Sequence, residues 1–300
     1  LTSNVASLHA GQTATVTFTL SEAATDFDGS DIVVTGGTLS NFTGSGTSYT
    51  ATFTPDASST ADGHISVDNS HFTDAAGNAN TNSNQLTLNI DTAIPVAPTL
   101  SLATDSGSSN TDKLTNVGTL SLSGVETDAV VEYSINGIDW TSSFTPVEGT
   151  NTVYVRQTDL AGNVSAPSAA FTFVRDTAVP TVSIQNAPAT HSGNAFTVTL
   201  EFNEDVTGFA VGDLSVSGAS LSNFTAIDGN TYVVTVTPLG TNTITLDVPA
   251  SVAQDGAGNN NAAATQINIG YSSTDTVAPT IALTSNVASL HAGQTATVTF

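Results

Sequence analysis

The stretch TATVTFTL, residues 13–20, alternates threonine with apolar side chains. Successive side chains of a β-strand point to opposite faces, so this period of two predicts a strand with one apolar face and one polar face. The same alternation recurs along the chain, for example in VYV at 153–155 and in FTVTL at 196–200. Gly, Asn, Asp and Ser fill the segments between such runs, and no apolar pattern of helical spacing persists for a useful length. The chain is therefore predicted to be all-β.

An internal identity organises the chain. Residues 1–18, LTSNVASLHAGQTATVTF, recur letter for letter at 283–300. Such identity indicates tandem repetition, and we expect this chain to be a fragment that holds one period of a longer protein and the start of the next. Two shorter motifs, Asp-x-Ala-Gly-Asn and Asp-Thr-x-x-Pro, punctuate the period. They occur as DAAGN at 74–78, DLAGN at 159–163, DGAGN at 255–259, DTAIP at 91–95, DTAVP at 176–180 and DTVAP at 275–279.

The Asp-Thr-x-x-Pro motifs predict the linkers between modules, because proline and the residue before it favour an extended backbone. Two of the modules are siblings, since SEAATDF at 21–27 matches NEDVTGF at 203–209 and LSNFT recurs at 39–43 and 221–225. The middle module is a second subtype that carries VVEYSINGIDW at 130–140. The predicted ranges are 1–92 (first module), 93–177 (middle module), 178–276 (third module) and 277–300 (truncated start of the next repeat).

Each predicted module has the size and strand content of a β-sandwich. About seven short strands with turn residues between them are typical of an Ig-like sandwich of about 100 residues. Sandwich modules that repeat in tandem contact mainly their neighbours. We therefore expect tandem Ig-like β-sandwich domains arranged as an extended rod.

Composition excludes several classes of function. The chain has 26 acidic residues against 3 Lys and Arg, which gives a net charge of −23. Nucleic acid and anionic membrane surfaces are poor partners for such a chain, because both are bound through basic residues. The absence of cysteine rules out disulfides, thiolate metal sites and cysteine nucleophiles. No apolar run is long enough to insert into a membrane, and no catalytic motif is present, so we do not expect an enzyme.

The two repeated motifs, the SEA and NED loops and the YSINGIDW hairpin at 133–140 resemble bacterial Ig-like (BIg) tandem repeats of giant biofilm-associated and RTX-type surface adhesins. The resemblance covers essentially the whole chain. It implies a calcium-dependent, non-catalytic spacer at the bacterial cell surface, outside the cell, that is exported by a dedicated secretion system and supports cell adhesion and biofilm formation. The implied partners are neighbouring Ig-like repeats of the same chain and a host-cell or matrix receptor bound through distal domains.

Calcium sites are expected where a linker enters the next module. In a sandwich, the loops after the second and sixth strands lie at the end where the preceding linker enters, so their acidic residues should meet that linker's aspartate. Ca²⁺ takes about 6–8 oxygen ligands at about 2.3–2.6 Å, which suits carboxylates and amides from separate segments. Only two junctions are complete. The predicted ligands are Asp91, Glu126, Asp128, Asp159 and Asn163 at the first junction, and Asp176, Glu204, Asp255 and Asn259 at the second.

Further calcium candidates lie outside these two junctions. Glu22, Asp74 and Asn78 form half of a site on the first module, and Asp275 belongs to the linker after the third. The loop from Asp105 to Asp112 resembles a calcium loop of related modules, with Lys113 where glycine is typical. The alternative for all of these residues is that Asp and Asn merely form turns by accepting hydrogen bonds from their own backbone.

A second function class stays open beside the spacer. One sandwich could bind a glycan or a protein receptor directly, with Trp140 as the single tryptophan able to contact a sugar. An accessory segment of an enzyme is a third alternative. The exact repeat favours the spacer, because identical copies serve reach or avidity better than unique recognition.

Overall fold

The computed structural model describes residues 1–273 and 280–299. The chain divides into two compact units, Leu1–Ala178 with Gly256–Gly258, and Val179–Asp255 with Asn259–Phe300. The described residues form strands, apart from loops and two short 3-10 helices, Gly29–Asp31 and Val211–Asp213. The all-β prediction is therefore confirmed. The DTVAP motif, including Asp275, lies outside the described residues.

The first module is a sandwich of two four-stranded sheets. One sheet has the order β1-β3-β6-β5 and the other β2-β8-β7-β4. Strand β2 runs parallel to β8, with His9 opposite Asp91, while the other pairs are antiparallel. The strands are β1 (Thr2–Ser3), β2 (Ser7–His9), β3 (Ala14–Thr19), β4 (Ile32–Thr35), β5 (Gly37–Ser45), β6 (Ser48–Pro55), β7 (Gly63–Val67) and β8 (Leu86–Asp91).

The core of the first module follows the predicted alternation. On β3, Ala14, Val16 and Phe18 are buried, whereas the threonines between and after them face outwards. Phe53 on β6 is also fully buried. A Cβ atom on Gly37 or Gly63 would lie 2.5 or 2.7 Å from its Cζ atom. A side chain at either position would therefore clash with this ring.

The middle module pairs a four-stranded sheet, β10-β14-β13-β12, with a two-stranded sheet, β11-β9. Its fully buried apolar side chains include Val153, Val155 and Phe173, and polar side chains such as Gln157 and Asn151 are buried beside them. We therefore expect hydrogen bonds to contribute more to this module's stability than in its neighbours. The strands are β9 (Thr99–Leu102), β10 (Leu114–Thr115), β11 (Leu120–Ser123), β12 (Val130–Ser134), β13 (Gly149–Thr158) and β14 (Phe171–Arg175).

The third module repeats the topology of the first, as the sibling motifs predict. Its sheets have the orders β15-β17-β20-β19 and β16-β22-β21-β18, and β16 runs parallel to β22. The strands are β15 (Val182–Gln185), β16 (Thr190–His191), β17 (Phe196–Phe202), β18 (Ser215–Ser217), β19 (Ala219–Ala226), β20 (Thr231–Pro238), β21 (Ile244–Asp247) and β22 (Ile267–Tyr271).

The sibling modules fill the same core space with different residues. Strand register places Val236 at the position of Phe53, and Ala219 at the position of Gly37. Ile244, which is fully buried, takes the place of Gly63. One large ring between two glycines is thus exchanged for three aliphatic side chains.

Two further short strands, β23 (Thr284–Ser285) and β24 (Val298–Thr299), pair within the repeated segment. Over the described residues, neither 3-10 helix has the length or the apolar character needed to cross a membrane.

Candidate metal centre

The three Asp-x-Ala-Gly-Asn loops share one geometry. In each loop the asparagine backbone N–H donates to the aspartate Oδ1 at 2.7–2.8 Å, and the asparagine Nδ2 donates to Oδ2 at 2.8 Å. The glycine before the asparagine has φ between +86° and +100°, a left-handed conformation that only glycine adopts without strain. The aspartates do cap their own turns, and the motif spacing follows from this closed loop. The pairs are Asp74–Asn78, Asp159–Asn163 and Asp255–Asn259.

Two of these aspartates have a lowered pKa. For Asp74 the side-chain hydrogen bond from Asn78 is the main cause. For Asp159, burial raises the pKa, but hydrogen bonds from the Asn163 side chain and from backbone N–H groups of the loop outweigh burial and lower the pKa below its ordinary value of 3.8. Both carboxylates are therefore ionised at neutral pH.

At the first junction, the loop of the middle module meets the first module through Asn163. Its Nδ2 donates to the Asp91 carbonyl oxygen at 3.0 Å, and its Oδ1 accepts from the Ala10 N–H at 2.8 Å. The Asp91 carboxylate accepts instead from the Ala93 N–H at 3.1 Å. Thus the structure brings Asp91, Asp159 and Asn163 together through hydrogen bonds of backbone and amide groups.

The other two predicted ligands of this junction, Glu126 and Asp128, have exposed side chains. Asp128 adopts φ +62°, as befits a turn. Among the described residues of the first unit, no three His, Asp or Glu side chains bring ligand atoms within 4.8 Å of one another. Calcium at the first junction stays a prediction.

Two carboxylates of the second unit lie close together. One oxygen of Glu204 and one of Asp255 lie within 4.8 Å of each other, and Asp255 is only 2% exposed. Asn259 is held against Asp255 by the two hydrogen bonds of the shared loop geometry. Asp176 belongs to the first unit, where its Oδ1 accepts from the Ala178 N–H at 2.9 Å.

Glu22, Asp74 and Asn78 line one cavity of the first module, with a volume of about 400 Å³. The aromatic side chains of Phe18, Phe27 and Phe72 also line this cavity. The three predicted half-site residues therefore line one cavity, and calcium binding there stays a prediction.

The loop from Asp105 to Asp112 contains one orphaned carboxylate oxygen. Asp105 Oδ2 accepts from the Lys113 N–H at 3.0 Å, while Asp105 Oδ1 is buried without a hydrogen-bond partner among the described residues. Asp112 is exposed and accepts from the Leu114 N–H at 3.1 Å. Lys113 has φ +63°, which explains why glycine is typical at this position.

Sequence reasoning missed the buried amide of Gln157. Its Nε2 donates to the carbonyls of Val96 and Gly124 at 2.6 and 3.0 Å, and its Oε1 accepts from the Glu126 N–H at 2.8 Å. The signal was available, because Gln157 continues the inward phase of Val153 and Val155 on one strand. A polar residue in that phase indicates a buried hydrogen-bonding role.

Comparison with known proteins places the chain in a family. A family model described as "Bacterial Ig-like domain" matches residues 1–90 and 176–271. The chain therefore belongs to the bacterial Ig-like domain family, with neighbouring Ig-like repeats in one chain. No match was found among curated proteins.

Solved structures with a similar arrangement of strands are distant from this chain. A three-domain Ig segment of titin, an E-to-A variant, has a TM-score of 0.36 at 7% identity over 89% of this chain and 95% of that one. The Yersinia pseudotuberculosis adhesin InvE gives 0.23 at 16% identity over 90% of this chain and 57% of that one. Fibronectin(III)-like modules of Clostridium thermocellum CbhA give 0.25 at 15% identity over 58% and 93%.

Proposed function

We propose that this chain is a non-catalytic spacer segment of a large bacterial surface adhesin of the biofilm-associated or RTX type. Its modules extend the protein outside the cell, after export by a dedicated secretion system, and thereby support cell adhesion and biofilm formation. The observation that carries this proposal is the tandem repetition itself. Two modules match one family model, and the first 18 residues recur letter for letter at 283–300.

Calcium is the second part of the proposal. The donor set in the second unit fits this ion, because two carboxylates approach within 4.8 Å and one of them, Asp255, is buried. Two like charges at such a distance repel each other, and the cost rises with burial unless a cation neutralises them. Ca²⁺ accepts carboxylate, amide and water oxygens in a flexible geometry, as such a set would offer.

At the second junction, we propose that Glu204 and Asp255 bind the ion and that Asn259 orients Asp255. Asp176 lies in the linker just before the second unit begins, and we propose that its carboxylate is a further ligand. The bound ion would supply only charge neutralisation and a crosslink between chain segments. A linker fixed in this way would stiffen the spacer.

Small-angle scattering of the 300-residue chain in calcium and in EDTA tests the proposal. We expect a larger maximum dimension in calcium, and we expect Glu204→Gln to abolish the difference. Glu201→Gln is the matched control, because Glu201 is an exposed glutamate of the same module. Identical profiles of the unmodified chain in calcium and EDTA would refute calcium stiffening.

A further inference from the structure

We infer that Asn163 closes the junction between the first and middle modules by direct hydrogen bonds, in place of the calcium ion that the sequence predicts there. The inference goes beyond the proposed function, because it concerns the chemistry of one junction within the first unit and does not depend on the role of the whole chain. We call the hydrogen bonds of Asn163 with Ala10 and Asp91 the Asn163 contact.

Both polar atoms of the Asn163 amide form hydrogen bonds, and Nδ2 donates both of its protons. Its Oδ1 faces one donor, the Ala10 N–H at 2.8 Å. Its Nδ2 faces two acceptors, the Asp91 carbonyl at 3.0 Å and Asp159 Oδ2 at 2.8 Å. A flipped amide would place donor against donor and acceptor against acceptors, so the surroundings permit only one orientation.

The first module presents the matching groups because of its strand order. Strands β2 and β8 run parallel, with His9 opposite Asp91. The N–H of Ala10, the residue after His9, therefore lies at the same edge as the Asp91 carbonyl. One planar amide can therefore bind both strands. Asn163 is 2% exposed, so water hardly competes for these groups, and hydrogen bonds in such surroundings are stronger than at the surface.

The linker is held on both sides of the Asn163 contact. On the side of the first module, the buried Thr92 donates from Oγ1 to the Asp56 carbonyl at 2.6 Å and from its N–H to the Ser59 carbonyl at 2.8 Å. On the side of the middle module, Gln157 binds the Val96 carbonyl at 2.6 Å. The junction is thus fixed by three buried polar side chains.

Nothing in this arrangement requires a metal ion. The amide oxygen of Asn163, a predicted calcium ligand, already accepts from Ala10, and the predicted ligands Glu126 and Asp128 are exposed. In the described part of the first unit, no three carboxylate or imidazole side chains converge within 4.8 Å. The donor and acceptor atoms of the Asn163 amide are hydrogen-bonded to other groups of the protein.

The chain carries its own control. Asn78 makes the same two hydrogen bonds to Asp74 as Asn163 makes to Asp159, but Asn78 is exposed. Removing either amide disturbs a loop of the same geometry, but only the removal of Asn163 disturbs the junction.

The experiment measures the distance between the modules in the full 300-residue chain. The chain has no cysteine, so spin labels can be attached through Thr15→Cys and Ser121→Cys, at two exposed strand positions. In EDTA we expect a narrow distance distribution that calcium does not change. Asn163→Ala should broaden this distribution, and Asn78→Ala should leave it unchanged. Trp140 fluorescence checks that the middle module of each variant is folded.

Hydrogen exchange of the Ala10 amide gives a second readout that needs no spin label. In EDTA we expect this amide to be protected in the unmodified chain and to exchange about tenfold faster, or more, in Asn163→Ala. A distribution that is broad in EDTA and narrows only in calcium would overturn the inference, as would an unprotected Ala10 amide. Glu204→Gln should affect neither readout, so a failure of the calcium proposal is distinguishable from a failure of this one.

Discussion

Replacing Gln157 by leucine tests whether buried hydrogen bonds, rather than an apolar core, stabilise the middle module. Leucine fits the apolar phase of the strand but cannot form the three hydrogen bonds of the glutamine side chain. The carbonyls of Val96 and Gly124 and the N–H of Glu126 would lose their partners. Gln157 is 0% exposed, so water cannot simply replace the amide.

The magnitude follows from these three groups. A buried backbone group without a partner costs about 1–3 kcal/mol, so three cost about 3–9 kcal/mol. The neighbouring Val96 and Glu126 side chains are exposed, which lets some water approach, and burial of leucine returns about 1–2 kcal/mol. The two terms together leave about 1–8 kcal/mol, and partial hydration of the freed groups puts the expected loss in the free energy of unfolding at about 3–4 kcal/mol. For a module of this size the melting temperature should fall by about 12–30 °C.

Urea unfolding followed by tryptophan fluorescence measures this effect in the intact chain. Trp140 is the single tryptophan, so its emission reports the middle module alone. Ser121→Leu is the control, because Ser121 is an exposed strand residue of the same module, and leucine there should cost less than about 0.5 kcal/mol. A loss below about 1 kcal/mol for Gln157→Leu would refute the reasoning, since it would mean that water or the protein replaces all three bonds.

Two further predictions concern the first module and its junction. Phe53→Val should cost about 2–4 kcal/mol through the cavity it leaves, and Gly63→Ala about 1–3 kcal/mol because the new Cβ lies 2.7 Å from the Phe53 ring. The double variant should cost less than the sum in a calorimetric double-mutant cycle, and strict additivity would contradict the proposed steric coupling. The folded pKa of Asp159 lies below its ordinary value of 3.8, so its stabilising contribution is complete above that value and disappears as the pH falls through the lower folded pKa. The distribution of spin-label distances across the first junction should therefore stay narrow from pH 7 to about pH 4 and broaden only at lower pH. Broadening between pH 5 and 7 would show that a group other than Asp159 controls the junction.

Strands were predictable because the alternation of apolar and polar side chains is a local property of the sequence. The alternation at 13–20 and the sibling motifs predicted the sandwich and the shared topology of the first and third modules. Whether an apolar side chain is buried depends, however, on strands distant in sequence. Leu8 is 3% exposed, whereas the identical Leu290 in the repeated segment is 51% exposed. The same letters bury a side chain only where the partner strands of the module are present.

The arrangement at the first junction was predictable only in part, because it too depends on contacts between residues distant in sequence. The sequence indicates that Asp159 and Asn163 belong near Asp91, and the structure places them there. It does not indicate that the Asn163 amide would be occupied by Ala10, because that contact depends on a parallel strand pair distant in sequence. Asp31 and Asp213, at equivalent positions of the sibling modules, have a local structural role. Each carboxylate accepts a hydrogen bond from the N–H of the residue before its 3-10 helix, at 2.8 and 2.7 Å.

Calorimetric titration of calcium into the EDTA-treated chain tests the central claim, namely that the ion binds where Glu204 and Asp255 converge. We predict a binding site that is lost in Glu204→Gln and retained in both Glu201→Gln and Asn163→Ala. Absence of any binding heat, or a titration of Glu204→Gln identical to that of the unmodified chain, would contradict the claim.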